Sequence, residues 1–375
     1  MKTSNTSAMF SVFETSLMQD LIQQASAYSG FTHPNPLVGA AVYKDETIIS
    51  IGVHQKKGEK HAEVLALEKA GSSANGASLM VTLEPCVHHG STPPCVDAIV
   101  KAGIRDVVVG VLDPCKPGKA VSARDILESK GIRVRNGLCV EEATQLNHDY
   151  MFAYTTKRPY VRLKAAMTLD GKIALPSGDS TYITSEASRK HVHAMRAASC
   201  GIVVGKQTLL QDNPKLTVRY DQLLPHQVPP ILFVVANELD MTRKFAIFES
   251  GYRCVLVTTS KPLAQKKGYF SECWYVAANK QNQLDWAAFL TKCVEAHVYS
   301  VMLEGGAQLY SSALEGGHVN ECSFFIAPCF MGDDNAPSVL QFSRPATSLS
   351  TLLRLQNVTV KQFGDDTCIS GRCST

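Results

Sequence analysis

Residues 78–114, "SLMVTLEPCVHHGSTPPCVDAIVKAGIRDVVVGVLDP", hold the pattern on which the fold class turns. "SLMVTLE" and "RDVVVGVLDP" are short apolar runs bounded by breakers and read as buried strands. Between them a proline-rich loop leads into "CVDAIVKAG", a helix with Pro93 and Pro94 where a helix start tolerates proline. Upstream, "HAEVLALEKAG" has helix composition and closes at Gly71, while "VGAAVYKD" and "TIISIGVH" read as a hairpin turned at Lys44 to Glu46. Residues 14–29 put Leu17, Leu21 and Ala25 on one helical face before Gly30. Downstream, "ARDILESKG" reads as a helix and "IRVRNG" as a strand. Strands alternating with helices of about ten residues indicate layered α/β structure.

The chain has 375 residues and 45% apolar content, enough for two cores. A polar, helical run, "EEATQLNHDYMFAYTTKRP", places a boundary near residues 149–157. The expected division is a flexible tail over 1–12, a first domain over 13–150 and a second over 157–375. The second half restarts with "YVRLKAAMTLDG" as a strand, then "EASRKHVHAMRAAS" as a helix and "CGIVVG", "PPILFVVA", "CVLVTT" and "YSVMLEGG" as strands. "QLYSSALEGG" as a helix, then "ECSFFIAP" and "VTVKQFG", complete a separate α/β domain with a mixed sheet.

A net charge of +3 is too mild to imply a nucleic-acid or acidic-membrane partner. The first residues lack the apolar core of a signal peptide, and no apolar run reaches bilayer length. Twelve cysteines scattered over both halves fit reduced thiols in a cytoplasm better than a disulfide framework.

The loop "EPCVHHGSTPPC" at 84–95 admits a disulfide, two unrelated buried thiols, or a metal site. A catalytic zinc takes three thiolate or imidazole ligands and leaves one place for water. His61, Cys86 and Cys95 supply that count, with His61 and Cys95 each opening a helix whose amino terminus favours a thiolate. Glu63, two residues past His61, stands where a proton shuttle is needed. Zinc deaminases pair H-x-E with P-C-x-x-C; here "HAE" and "PC" are present, but Val87 to Pro94 separate the cysteines. His88 and His89 read either as solvated loop residues or as substrate contacts. "HPNPLVG" at 33–39 is a rigid turn, or holds Asn35 to read a heterocycle edge. In the second half, "LEGG" before a helix is a simple turn, or lets bare backbone approach a phosphate. No strand is followed by G-x-G-x-x-G, which argues against a Rossmann domain.

Taken together, "THPNPLVGA", "HAEVLALEKAG", "TLEPCVHHGSTPPC" and "LKAAMTLDGKIA" resemble the bifunctional riboflavin-biosynthesis deaminase–reductases of bacteria, from about residue 15 to the end. The resemblance implies a cytidine-deaminase-like α/β/α domain followed by a dihydrofolate-reductase-like α/β domain. It implies one zinc ion per chain, NADPH and a pyrimidine ribosyl phosphate substrate, with homo-oligomerisation, as a homodimer or higher, through the reductase half. By the same resemblance His61, Cys86 and Cys95 are the zinc ligands, Glu63 the proton shuttle and Asn35 a substrate-positioning residue. Lys164 and Asp170 fall in the reductase active-site strand and loop. Ser180, Arg196, Leu216, Arg219 and Glu304 match substrate-binding positions, the two arginines suiting a phosphate as planar donors. Ala166, Tyr182, Thr208, Asp212, Gly306, Ala307, Gln308, Leu309, Tyr310, Ser311 and Ser312 match the NADPH site.

The chain departs from the family pattern at Ser91, where a basic residue is usual, and at Cys115, where Asn is common. It also departs at Tyr182, usually Trp, and at Ala236-Asn237, usually Asp-Ser. Two rival readings are a deaminase whose second domain has lost its cofactor, and a nucleic-acid deaminase or binding module. The latter calls for a basic stripe with interleaved aromatics, and the sequence has none.

Overall fold

The computed structural model describes residues 10–89, 93–115, 121–177, 182–219, 227–266, 268–343 and 346–374. The chain splits into two compact units, Met1–Thr155 and Thr156–Thr375.

The first unit runs α1 (Val12–Ser26), β1 (Gly39–Lys44), β2 (Thr47–Val53), α2 (Ala62–Ala70), β3 (Ser78–Leu83), α3 (Cys95–Lys101), β4 (Asp106–Val111), α4 (Ala123–Ser129), β5 (Arg133–Asn136), α5 (Val140–Leu146) and α6 (His148–Thr156). Helix α1 begins two residues earlier than the apolar periodicity indicates. The "SVFE" capping box explains this, since Ser11 Oγ accepts from the Glu14 amide and Glu14 accepts from the Ser11 amide. Residues 10–12 therefore belong to the folded unit and not to a tail. The hairpin turns at Asp45 and Glu46, both in the left-handed region, as a two-residue turn between twisted strands requires.

The sheet order is β2-β1-β3-β4-β5, antiparallel about β1 and parallel from β3 to β5. Strand alternation sends Ala40, Val42, Leu79, Val81, Val107 and Val109 to α2, α3 and α4 on one face. Ala41, Tyr43, Met80 and Val108 meet Leu17, Met18 and Leu21 of α1 on the other, giving three layers. Helix α2 lies unusually close to β2: a Cβ at Gly52 would collide with the Ala62 carbonyl and the Ala66 amide, and Ser50 Oγ donates to the Ala66 carbonyl at 2.7 Å.

The second unit runs β6 (Tyr160–Thr168), α7 (Glu186–Ala197), β7 (Gly201–Gly205), α8 (Lys206–Asp212), β8 (Ile231–Val235), β9 (Cys254–Thr258), α9 (Lys261–Ala264), β10 (Glu272–Tyr275), α10 (Trp286–Glu295), β11 (Ser300–Leu303), α11 (Ala307–Glu315), β12 (Glu321–Ala327), β13 (Leu355–Phe363) and β14 (Asp366–Cys373). Its sheet order is β10-β9-β8-β7-β11-β6-β12-β14-β13, parallel from β10 to β12 and antiparallel at β14 and β13. Val161, Leu163, Val203 and Val301 face α10 and α11, while Ile202, Val204, Leu232 and Val234 face α8 and the segment around Phe245.

One ionic cluster ties α1 to the first sheet. Arg135 donates to both Glu14 oxygens, at 2.6 and 3.0 Å, and to Asp106, while Tyr43 Oη donates to Glu14 at 2.7 Å. Burial alone would raise the Glu14 pKa, but the Arg135 and Tyr43 hydrogen bonds overcome it and hold the carboxyl at about 2, against an ordinary 4.5. Because this pKa is depressed by folding, the stabilisation is complete above about pH 4.5 and is lost as pH falls toward 2. Glu14→Gln should therefore destabilise the first unit by about 1–3 kcal/mol at pH 7, with the gap from the parent chain closing on acidification below pH 4.5. Amide hydrogen exchange of β4 and β5 reads both effects.

Candidate functional site

His61 is the N-cap residue of α2, in extended backbone, with its carbonyl accepting from the Leu65 amide at 3.1 Å. Cys86 follows the end of β3, and Cys95 is the fully buried first residue of α3. The three meet: one ligand atom from each lies within 4.8 Å of the others, and among the described residues this is the one cluster of its kind. His61 Nδ1 stands 3.2 Å from Cys95 Sγ and 3.6 Å from Cys86 Sγ, and the Cys95 amide donates to Cys86 Sγ at 3.3 Å. Tetrahedral zinc with Zn–N near 2.0 Å and Zn–S near 2.3 Å has N···S edges of about 3.5 Å. Donor set and spacing therefore fit zinc.

All twelve cysteines are free thiols, so the disulfide reading of the loop does not hold. His88 and His89 lie exposed and outside the cluster. The Cys86 thiol is held well below its ordinary range by hydrogen bonds from Cys95 and His61, against its own burial, while the hydrogen bond to Cys86 and burial push Cys95 up. The shared hydrogen bond thus drives the two sulfurs in opposite directions. Glu63, in the first turn of α2, is 3% exposed. Burial, then the neighbouring Cys86 sulfur, raises its pKa.

Asn35 reaches this centre through a residue that sequence reasoning missed. Its Nδ2 lies 3.1 Å from His54 Nε2, His54 Nδ1 lies 3.1 Å from the Lys60 carbonyl, and the His54 ring stands edge-on to His61 with centroids 5.5 Å apart. His54 is 3% exposed at the end of β2; a lone histidine closing an otherwise apolar strand was the available signal. Cys115 sits in a neighbouring polar knot, its amide donating at 2.8 Å to Asp113, which also accepts from Tyr150 at 2.9 Å. Ser91 lies outside the described residues.

In the second unit a cavity of about 1340 Å³ opens where β7, β8 and β11 end, between Gly205–Asp212, Val235–Asn237 and Glu304–Leu309. Crevices outside the carboxyl ends of parallel strands are where such sheets bind ligands. The volume exceeds the roughly 300–1,000 Å³ of a site for one drug-sized molecule. Lys164, Ala166, Tyr182, Arg196, Thr208, Asp212, Leu216, Arg219, Glu304, Gly306, Ala307, Gln308, Leu309, Tyr310 and Ser312 all line it.

Gly306 caps α11 at a φ of 90°, and a Cβ on Gly305 would strike Thr208 Oγ1 at 2.6 Å, so the bare backbone here is required. That leaves an approach for a phosphate at the start of α11, which fits a dinucleotide. Tyr182 is 69% exposed, with the Arg189 guanidinium 4.4 Å over its ring, and Asn237 Oδ1 accepts from the Thr259 amide at 2.9 Å.

Three expected residues fall differently. Asp170 is not in the cavity wall; its carboxylate accepts from Thr168 Oγ1 and from the Met331 and Gly332 amides at 2.8–3.1 Å, which holds its pKa well below the usual range. It closes the turn after β6. Ser311 is also outside the wall, 2% exposed, with its Oγ accepting from the Gln341 amide at 2.7 Å. Ser180 lies outside the described residues.

Arg196, read as a phosphate donor, spends its side-on fork on Glu304, with both bonds 2.6 Å, and gives Nη1 to the Thr217 carbonyl at 3.0 Å. Burial would raise the Glu304 pKa, but Arg196 holds it down, while burial pushes the Lys164 ammonium down against the pull of Glu304.

A deaminase-type metal centre and an α/β reductase cleft in one chain define a two-domain deaminase–reductase. The profile of the cytidine and deoxycytidylate deaminase zinc-binding region matches residues 13–111, and that of the RibD C-terminal domain matches residues 159–369. The riboflavin biosynthesis protein RibD of Aquifex aeolicus is 37% identical over 96% of this chain and 99% of its own length. That of Escherichia coli is 36% identical over 81% of this chain and 84% of its own. Among solved structures, RibD of Acinetobacter baumannii has a TM-score of 0.84 at 32% identity, covering 96% of this chain and 99% of that one. The diaminohydroxyphosphoribosylaminopyrimidine deaminase/5-amino-6-(5-phosphoribosylamino)uracil reductase of Thermotoga maritima has 0.81 at 32%, with the same coverage. The chain belongs to the RibD family of bifunctional riboflavin-biosynthesis enzymes, whose cofactors are zinc and NADPH.

The purified chain should hold about one zinc by elemental analysis, and His61→Ala or Cys86→Ser should lose it. Because binding must displace a thiol proton, zinc affinity should weaken as pH falls, measured by competition with a chromophoric chelator.

Proposed function

We propose that His61, Cys86, Cys95 and Glu63 deaminate 2,5-diamino-6-(5-phosphoribosylamino)pyrimidin-4(3H)-one, and that the second-unit cleft reduces the ribosyl group to give 5-amino-6-(5-phosphoribitylamino)uracil. The observation that carries this reading is the meeting of two thiols and an imidazole within 4.8 Å beside a buried glutamate.

His61, Cys86 and Cys95 would hold a zinc ion, which would supply Lewis acidity that lowers the pKa of water toward about 7. Glu63 accepts a proton from the attacking water and delivers it to the ring nitrogen and then to the leaving amine, so water enters and ammonia departs. Asn35, tied to His54, offers amide atoms to the heterocycle edge.

In the cleft, the bare backbone at Gly305 and Gly306 would hold NADPH, which would supply the hydride that reduces the first carbon of the opened sugar. Lys164, lining the cavity with a lowered pKa, gives up the accompanying proton more readily than a solvated lysine. Arg219 is the guanidinium in the wall best able to take the substrate phosphate, since the Arg196 fork is engaged by Glu304 and Arg189 donates to the Thr184 carbonyl and lies over the Tyr182 ring. A cytoplasm suits the twelve free thiols.

Glu63→Gln should retain zinc but lose ammonia release by about 10²–10⁴-fold, leaving NADPH oxidation on the deaminated substrate intact. Near-parental ammonia release would remove Glu63 from the chemistry.

Association through the second unit is part of this reading. β13 ends the sheet with Val358 and Val360 51% and 64% exposed, an apolar strand edge of the kind that soluble proteins cover. Light scattering should give a multiple of the 40.7 kDa chain mass, reduced by Val360→Lys. A monomeric parent chain would count against it.

A further inference from the structure

The stretch from Asn213 to Arg219 forms one wall of the cleft and is fastened nearly residue by residue. Asn213 Oδ1 accepts from the Ala246 amide at 2.8 Å, and Leu216 and Val218 are buried, 4% and 9% exposed. Thr217 gives its carbonyl to Arg196 at 3.0 Å, and the Val218 amide donates to Tyr252 Oη at 3.2 Å. The last fastening falls on Arg219 itself, whose amide donates to His193 Nδ1 at 3.0 Å.

His193 is 3% exposed on α7, three residues before Arg196, so one helix face holds the wall at two successive points. A backbone N–H can only donate, so Nδ1 is the acceptor and the ring is neutral with its proton on Nε2. Burial, then the Arg196 and Arg219 guanidiniums, keeps it in that form by holding its pKa to about 4. Arg219 is exposed toward the cavity, and with its amide clamped its guanidinium starts from a fixed point.

We propose that His193 is a positioning residue for the reductase step: by accepting the Arg219 amide, it aims the Arg219 guanidinium at the phosphomonoester of the substrate. This rests on the reading of Arg219 as the phosphate-binding group. It assigns His193 no contact with substrate or cofactor.

The test measures reductase kinetics of the full chain with the deaminated ribosylamino phosphate and with its dephosphorylated riboside, taking ammonia release and the KM for NADPH as controls of folding. His193→Leu removes the acceptor, while His193→Asn keeps a carbonyl oxygen near the place of Nδ1. His193→Gln moves that oxygen to the place of Nε2, and serves also where the leucine variant fails to fold. H193L and H193Q should raise KM for the phosphorylated substrate about tenfold with kcat within about twofold, and H193N should stay within about threefold of the parent. None should alter the KM for NADPH, and the dephosphorylated substrate should not distinguish them from the parent.

Equal losses on the phosphorylated and dephosphorylated substrates, or H193N no better than H193Q, would overturn the proposal. Arg219→Ala separates the two levels. If it abolishes the preference for the phosphorylated substrate while H193Q leaves that preference intact, the phosphate reading stands and the His193 proposal fails. If R219A leaves the preference unchanged, both fall.

Discussion

Three ligand atoms from separate points of the chain must meet within one coordination sphere, and the first unit is packed to that tolerance. The ligand-bearing helix α2 is drawn onto β2 by the absence of a side chain at Gly52 and by the hydrogen bond from Ser50 to the Ala66 carbonyl. Ala62, Ala66 and Ala70 on its inner face are small enough to allow it. Cys86 leaves the sheet at the end of β3, and Cys95 enters α3 under a hydrogen bond between the two residues' own atoms. Two thiols and an imidazole packed this closely compete for protons, which pulls the Cys86 pKa down and pushes that of Cys95 up. A divalent ion removes that competition, and its charge also opposes the burial that raises the Glu63 pKa. Metal binding and the readiness of Glu63 to move a proton are thus set by one packing arrangement.

The second unit solves a different problem. Its parallel strands end together, and the loops leaving β7, β8 and β11 wall a cleft rather than converge on a point. Geometry is held there by buried charge. Arg196 and Glu304, 13% and 4% exposed, form a two-bond fork that joins α7 to the end of β11. Removing either partner would strand the other in a low-dielectric setting, so each constrains the other's position.

The first domain was almost wholly legible, because short alternating apolar strands and helices with glycine stops follow local rules. The metal ligands were legible as well, since "HAE" and "PC" are local signatures and only the long loop between the cysteines was unusual. Most of what escaped was either short or non-local. β10 has four residues, β14 carries Ser and Gly among its apolar positions, and α8 starts with no break after β7. Helix α10, with Asp285 as its cap and Trp286, Phe289, Leu290 and Cys293 buried, had a readable period and was overlooked. His54 and His193 act through hydrogen bonds to distant segments, which no spacing along the chain announces. Asp170 shows the ambiguity of an Asp-Gly after a strand, which serves a turn as readily as a catalytic step: here its oxygens accept from the Met331 and Gly332 amides.

The charge arrangement in the cleft follows from this division of labour. Lys164, Arg189, Arg196, Lys206, Lys215 and Arg219 line it with two carboxylates, Asp212 and Glu304. Because Arg196 neutralises Glu304 through both oxygens, the pair contributes little net field, and the positive groups that remain include Lys164 and Arg219. Those two are differently placed: burial pushes Lys164 toward its neutral form, whereas Arg219 lies exposed with its backbone held. A group that must exchange a proton needs a shifted pKa, and one that must grip a phosphate needs a permanent charge in a fixed place. Lysine and arginine, set respectively in buried and clamped positions, meet those two requirements without competing for the same ligand.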